Sequence, residues 1–208
     1  MTTDQFWDLI DEAIKRAPDD LEARNRAMEY LLGTLPPGGW NSFGQKFYEI
    51  DSAAYTWALW GAAYQINGGC SDDGFDYFRA WLISQGRAVY EGALANPDSL
   101  ADHVDPDEDD HENEDFLDIA IKSTAQGPLT TEPAGEDWDF DDEAEMQRRY
   151  PRLCGVDPAS VPPTAPEPPS EPEPPESPEP PSAPPPPPEP PKPSGPTPPP
   201  LPPPLPRR

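Results

Sequence analysis

The sequence is poor in the residues that most often carry catalysis or bind metal ions, with two histidines and two cysteines among 208 residues. Cys70 and Cys154 fit reduced thiols of a cytoplasmic protein, and a disulfide between them is the minor alternative. Zinc-type cysteine spacing, a phosphate-binding glycine loop and a nucleotide-binding fingerprint are all missing. We therefore predict no metal site and no cofactor.

Basic residues are scarce as well: 14 Lys and Arg face 40 Asp and Glu, for a net charge of −26. This balance opposes binding to nucleic acid, which needs clustered cations, and to anionic membranes. Long apolar runs are also lacking, because the longest, residues 55–66, is too short to cross a bilayer. Residues 1–14 lack the basic start and the apolar stretch of a signal peptide. The chain is thus expected to be cytoplasmic.

Aromatic residues stop at Tyr150, whereas 28 of the 36 prolines lie from Pro158 onward. A segment that is rich in proline and free of aromatics cannot bury enough apolar surface to offset its chain entropy. We predict one folded domain over residues 1–153 and an intrinsically disordered proline-rich tail over 154–208. The tail ends in a Pro-x-x-Pro-x-Arg pattern that suits a polyproline-binding groove, but we favour a spacer or solubilising role, because such patterns arise by chance in proline-rich sequences. The residues of that pattern are Pro203, Pro206 and Arg208.

Apolar residues in the first 100 positions recur at helical spacing, and no long alternating strand pattern occurs. Thr2 and Gln5 have the spacing of a capping box at the start of the first helix. A third helix is expected from Trp40 to Ala54. Residues 55–66 are apolar nearly all round, which predicts a buried central helix. The expected fold is all-α, a single helical bundle.

Residues 102–115 form an acidic run whose middle we interpret as a solvated loop, with Asn113 or Asp115 beginning a short helix. Its alternate acids resemble a calcium loop, but the glycine and the final glutamate of that pattern are missing. Dense carboxylates are expected to raise the pKa of a histidine here and make it a poor base. A catalytic pair of Cys70 with His103 therefore has little support.

Three stretches resemble the bacterial domain of unknown function 4240 family. The longest runs from Trp57 to Ile83 and reads WALWGAAYQINGGCSDDGFDYFRAWLI, and the others are FWDLI at 6–10 and EDWDFDD at 136–142. Together they cover about residues 1–153. Ala58 and Ala80 depart from the residues expected in relatives. The resemblance implies shared ancestry and an α-helical domain, but no particular reaction.

The best candidate site is the turn Asn67–Asp73 together with Arg79. A glycine pair presents a cysteine and acidic residues at a helix start, where the pKa of a thiol can be lowered. The alternative is architectural, because serine or aspartate there also caps a helix and Arg79 can pair with Asp73 or Asp76. The candidate residues for a ligand or partner are Trp60, Tyr64, Asn67, Cys70, Ser71, Asp72, Asp73 and Arg79.

Three functions fit these patterns. The favoured one is a non-catalytic protein-interaction domain, whose partner has a basic surface or a polyproline-binding groove. The second is an enzyme or small-ligand binder that uses the Asn67–Asp73 turn and Arg79. The third is an acidic decoy that occupies a basic partner through residues 102–118.

Overall fold

The structure is a computed structural model that describes residues 1–105, 108, 110–122 and 132–157. These residues form helices and no strand, apart from one isolated bridge between Thr56 and Ala134. The predicted all-α class is confirmed. The eight α-helices in the described residues are α1 (Thr3–Arg16), α2 (Leu21–Gly33), α3 (Gly39–Ala53), α4 (Trp57–Asn67), α5 (Asp72–Ser84), α6 (Arg87–Ala95), α7 (Glu114–Ile121) and α8 (Glu143–Arg149), and the 3₁₀ helix Pro97–Asp102 follows α6. Residues 158–208 of the predicted tail, with Pro203, Pro206 and Arg208, lie outside the described residues.

Local sequence signals account for most helix ends. Thr2 and Gln5 form the predicted capping box, with hydrogen bonds of 2.9 and 3.2 Å in the two directions. Helix α3 begins one residue before its predicted start, after Gly38, whose φ of 84° suits glycine. Gly86 lies between α5 and α6 with a φ of 94°, which also suits glycine.

The core is rich in aromatic side chains and joins all the helices around α5. Phe6 of α1 stacks on Phe43 of α3 with ring centroids 4.7 Å apart, and Trp60 of α4 stacks on Phe75 of α5 at 4.9 Å. Burial of this apolar area supplies the main driving force for folding. The phenylalanines with no exposed surface are Phe6, Phe43, Phe47, Phe75 and Phe78.

Helix α4 is buried on several sides, as its apolar sequence predicts. A segment of residues 132–157 packs against it: the Tyr150 hydroxyl donates to the Ala58 carbonyl at 2.5 Å. Gly61 permits this contact, because a Cβ there would lie 2.5 Å from Cζ2 of Trp138. The side chains of α4 with no exposed surface are those of Leu59, Ala62 and Ala63.

The acidic run is exposed in the described part of its middle, as predicted, and buried towards its end. Asp105, Glu108 and Asp110 are exposed, but His111 and Asn113 are only 3% and 4% exposed. Asn113 caps α7, and its side chain also exchanges hydrogen bonds with Asn25 of α2 at 2.7 and 3.1 Å. The end of the run is therefore part of the core, because polar side chains there find partners inside the fold.

Candidate functional site

The turn between α4 and α5 is built by two glycines and a serine cap. Gly68 ends α4 with a φ of 65°, and Gly69 has a φ of 135°. The Ser71 hydroxyl accepts a hydrogen bond from the Gly74 amide at 3.1 Å and caps α5. Ser71 is thus engaged in helix capping, the architectural alternative for this turn. Asp72 and Asp73 follow in the first turn of α5, and both are exposed.

Cys70 is half-buried beside this turn, and its carbonyl accepts a hydrogen bond from Nε1 of Trp60 at 3.0 Å. Burial raises the pKa of the Cys70 thiol to about 12, and the nearby carboxylate of Glu112 adds to the rise. The prediction of a lowered thiol pKa is therefore wrong, because desolvation outweighs the helix terminus. A thiol with so high a pKa is a weak nucleophile at neutral pH.

Arg79 lies inside the domain, 5% exposed, in a site that we call the Arg79 cluster: Arg79, Asp51, Asp76, Tyr55 and Phe75. Its Nε and Nη2 atoms donate to the two carboxylate oxygens of Asp51 at 2.9 and 3.1 Å, and Nη2 also donates to Asp76 at 2.7 Å. Its guanidinium carbon lies 4.8 Å from each of the Tyr55 and Phe75 ring centroids. Burial lowers the pKa of Arg79, but the two carboxylates outweigh that effect and raise it.

The predicted pairing of Arg79 is partly correct. Asp76, one helical turn earlier, is a partner as predicted, whereas Asp73 forms no salt bridge with Arg79. The bidentate partner, Asp51, was not predicted, since it lies 28 residues away in the chain. Both carboxylates of the cluster already accept hydrogen bonds from Arg79, so the cluster is an internal ion-pair network.

The other predicted residues have structural partners too. Trp60 is 8% exposed and stacks on Trp57 at 5.4 Å as well as on Phe75. The Asn67 side-chain oxygen accepts a hydrogen bond from the backbone amide of His111 at 3.0 Å. The Tyr64 hydroxyl donates to Asp141 at 2.8 Å, and this bond raises the pKa of the tyrosine.

His111 is held inside the fold by the acidic run itself. Its Nε2 atom accepts a hydrogen bond from the Asp105 amide at 3.0 Å, and its ring meets Trp81 edge-on at 5.0 Å. Burial lowers the pKa of His111 against the opposing effect of Glu108, Asp105 and Asp110. The predicted rise in histidine pKa is therefore wrong at this position.

No group of three or more potential metal ligands occurs in the part of the chain that the structure describes. The calcium-like run is tested only in part, because residues 107 and 109 fall outside that part. No hydrogen bond joins Cys70 to His103 among the described residues, and His103 is exposed.

Two further surface features bring together residues that the sequence patterns did not group. The first, the α5–α7 acidic face, consists of Asp73, Tyr77, Glu112, Glu114 and Asp118. The Tyr77 hydroxyl lies 3.4 Å from Glu114, and Glu114, Asp73 and Asp118 all contribute to a raised pKa of Tyr77. Burial, Asp110 and Glu114 raise the pKa of Glu112. The four-residue spacing of Asp73 and Tyr77, and of Glu114 and Asp118, was the available signal for this face.

The second feature is a groove of about 550 Å³ between α4, α8 and the chain before α8, which we call the Tyr64–Phe140 groove. The two rings that name it lie 5.4 Å apart at an angle of 51°. The groove is lined by Tyr64, Gln65, Gly68, Phe140, Asp141, Glu143, Met146, Gln147 and Cys154. A second groove, of about 670 Å³, lies between α1 and the α2–α3 connection and contains none of the predicted site residues.

These features define an all-α domain with an internal arginine cluster and acidic surfaces. The chain belongs to the family described as protein of unknown function (DUF4240), whose model matches residues 1–124. That range contains α1–α7 and the α5–α7 acidic face, while residues 136–142 of the predicted resemblance lie beyond it. No curated protein and no solved structure matches the chain. Among the described residues, no helix has the length and apolarity needed to cross a membrane.

Proposed function

We propose that this chain is a non-catalytic, cytoplasmic protein-interaction domain that binds a basic protein surface through the α5–α7 acidic face. The partner is defined by its chemistry, a cluster of Lys and Arg side chains. The acidic decoy is one form of this function, in which binding blocks the basic surface of the partner.

The observation that carries the proposal is the concentration of carboxylates without cations on this face. Among the described residues, no salt bridge reaches the acids of the face, namely Asp73, Glu112, Glu114 and Asp118. Some acidic residues elsewhere on the surface do pair with cations: Glu12 pairs with Arg16 at 3.0 Å, and Glu29 with Lys122 at 2.6 Å. Like charges held together repel one another, and a basic partner relieves that repulsion. The negative electrostatic field of the face also speeds the approach of such a partner.

The geometry of the turn supports the non-catalytic form of the proposal. An enzyme at Asn67–Asp73 would need an ionisable nucleophile and a free base. Burial raises the pKa of Cys70 to about 12, and Ser71 is occupied as a helix cap. Arg79 already binds two carboxylates of its own chain. The two free cysteines suit the reducing environment of the cytoplasm.

Affinity capture with charge-neutralised full-length chains tests this function. The face variant carries Asp73→Asn, Glu114→Gln and Asp118→Asn. A matched control carries Asp8→Asn, Asp19→Asn and Asp137→Asn, three exposed acids away from the face, so that both variants change the net charge equally. We expect a specific partner to be captured by the wild type and the control, and lost by the face variant and at high salt.

A chain that ends after Asp157 separates partners of the domain from partners of the proline-rich sequence. Circular dichroism and thermal melting confirm that each variant is folded. Capture of the same partners by both neutralised variants would contradict the proposal, as would turnover of a small substrate by the wild type.

A further inference from the structure

The Tyr64–Phe140 groove combines two aromatic rings with carboxylates. Asp141 and Glu143 line it, and Asp139 is close enough to Tyr64 to contribute to its raised pKa. The groove lies at the C-terminal end of α4, where the helix dipole favours a positive charge. Aromatic faces and carboxylates both attract cations.

The groove contains no cation of its own. Among the described residues, no Lys or Arg forms a salt bridge with Asp139, Asp141 or Glu143, and none lies over the Tyr64 or Phe140 ring. The nearest comparable contact is on the neighbouring ring: the Arg149 guanidinium lies 4.9 Å from the Trp138 centroid and pairs with Glu145. Arg149 is thus engaged outside the groove.

The Arg79 cluster shows what such a pair of rings can hold. There the Tyr55 and Phe75 centroids are 5.9 Å apart at 30°, and the guanidinium carbon sits 4.8 Å from both. The Tyr64 and Phe140 centroids are 5.4 Å apart, a similar separation, with the ring planes at the larger angle of 51°. In both places two carboxylates are available to accept hydrogen bonds from the guanidinium.

We propose that the Tyr64–Phe140 groove binds the guanidinium group of an arginine side chain presented by the partner protein. The rings take the planar face of the guanidinium, and Asp141 and Glu143 accept its N–H groups. Arginine is favoured over lysine, because its flat, delocalised cation both stacks on rings and forms bidentate hydrogen bonds. The volume of about 550 Å³ is within the usual range for ligand pockets, which is roughly 300–1,000 Å³.

The inference rests on the proposed function, since it names the anchor of the basic partner, and it adds a second surface to the α5–α7 acidic face. Both surfaces border the α4–α5 region: Gly68 lines the groove, and Glu112 of the acidic face lies close to Gly74 at the start of α5.

An NMR titration of the ¹⁵N-labelled full-length chain tests the inference with the peptide acetyl-Gly-Gly-Arg-Gly-Gly-amide. Matched peptides carry lysine or the neutral isostere citrulline in place of the arginine. We expect saturable shifts at the amides of Tyr64, Gln65, Gly68 and Phe140 with the arginine peptide. Binding should be several-fold weaker with lysine and lost with citrulline.

Two variants establish where the peptide binds. Asp141→Asn with Glu143→Gln removes both carboxylates while Asn keeps an acceptor for the Tyr64 hydroxyl, and we expect roughly tenfold weaker binding. The matched control, Glu132→Gln with Asp137→Asn, removes two exposed acids of the same segment and should bind as the wild type does. Phe140→Leu keeps the groove apolar and removes one ring, which should lower the preference for arginine over lysine.

Equal binding of the arginine and citrulline peptides would overturn the inference, and so would unchanged affinity of the carboxylate variant. Shifts confined to the α5–α7 acidic face would also overturn it. The proposed function fails separately, because the capture experiment above changes only residues of the acidic face and leaves the groove intact.

Discussion

The Arg79 cluster and the Tyr64–Phe140 groove contain the same kinds of side chains in opposite states. The cluster joins two rings, two carboxylates and an arginine inside the domain, where every charge has a partner. The groove has the rings and the carboxylates at the surface, without the arginine. The difference teaches that residue type alone does not distinguish a stabilising site from a binding site. A site of this kind stabilises the fold when the chain itself supplies the cation, and it can bind a partner when the chain does not.

The strongest way to break this comparison is to remove the internal arginine. Arg79→Met leaves the Asp51 carboxylate, 13% exposed, without its bidentate partner. Loss of one member of a buried pair is expected to cost about 3–5 kcal/mol of unfolding free energy. Urea unfolding measures it, with the surface variant Arg87→Met as the matched control, for which we expect a much smaller loss. Equal losses in the two variants would mean that the cluster does not stabilise the fold.

A second change, Gly61→Ala, disturbs the packing beside the groove without altering a residue of the Arg79 cluster. Gly61→Ala places a Cβ 2.5 Å from Trp138 and 2.9 Å from the Tyr150 hydroxyl, so the 132–157 segment must shift. We expect a loss of about 1–3 kcal/mol in thermal or urea unfolding, and weaker binding of the arginine peptide. In the control, Gly92→Ala, the nearest atom is 3.7 Å away, and the helix should be unchanged or more stable. Normal peptide binding by Gly61→Ala would show that the groove does not depend on this packing.

A third prediction concerns the buried His111, whose effect on the free energy of unfolding depends on pH. Burial lowers the pKa of His111 below its unfolded value, although Glu108, Asp105 and Asp110 oppose the shift. The neutral ring thus contributes stability above the unfolded pKa of about 6.5, and this contribution is lost as the pH falls through that value. We expect the unfolding free energies of wild type and His111→Gln to converge between pH 8 and pH 5. The control is His103→Gln, at an exposed side chain, and parallel wild-type and His111→Gln curves would contradict the expectation.

The smallest effect is expected at Cys70, which lies on the turn between α4 and α5. Because burial raises the pKa of its thiol to about 12, little thiolate exists at neutral pH. Iodoacetamide should modify Cys70 in the folded chain far more slowly than in urea. Cys70→Ser should leave partner capture unchanged. Rapid labelling of the folded chain, read by mass spectrometry of the Cys70 peptide, would restore the catalytic alternative.

The helices and their caps could be predicted from the sequence because their signals are local. Thr2 with Gln5, Ser71 before α5 and Asn113 before α7 are each read from a few neighbouring residues. The pairing of Arg79 with Asp76 follows from helical spacing in the same way.

The long-range contacts could not be predicted, because they join residues that are distant in the chain. Asp51 reaches Arg79 across 28 positions, and Asp141 reaches Tyr64 across 77. His111 lies in a run of acids that is typical of a solvated loop, yet contacts with Asn67 and Trp81 bury it. Packing of whole helices sets these contacts, and no pattern within one segment records it.

The dependence of α4 on the 132–157 segment has a consequence for how the chain is made. Synthesis completes α4 at Asn67, but the Tyr150 hydroxyl that binds its Ala58 carbonyl follows 92 residues after that carbonyl. Translation at roughly 5–20 residues per second leaves several seconds in which this apolar helix lacks part of its cover. Nascent chains that stop before Tyr150 are therefore expected to recruit chaperones or aggregate more than chains that extend beyond it.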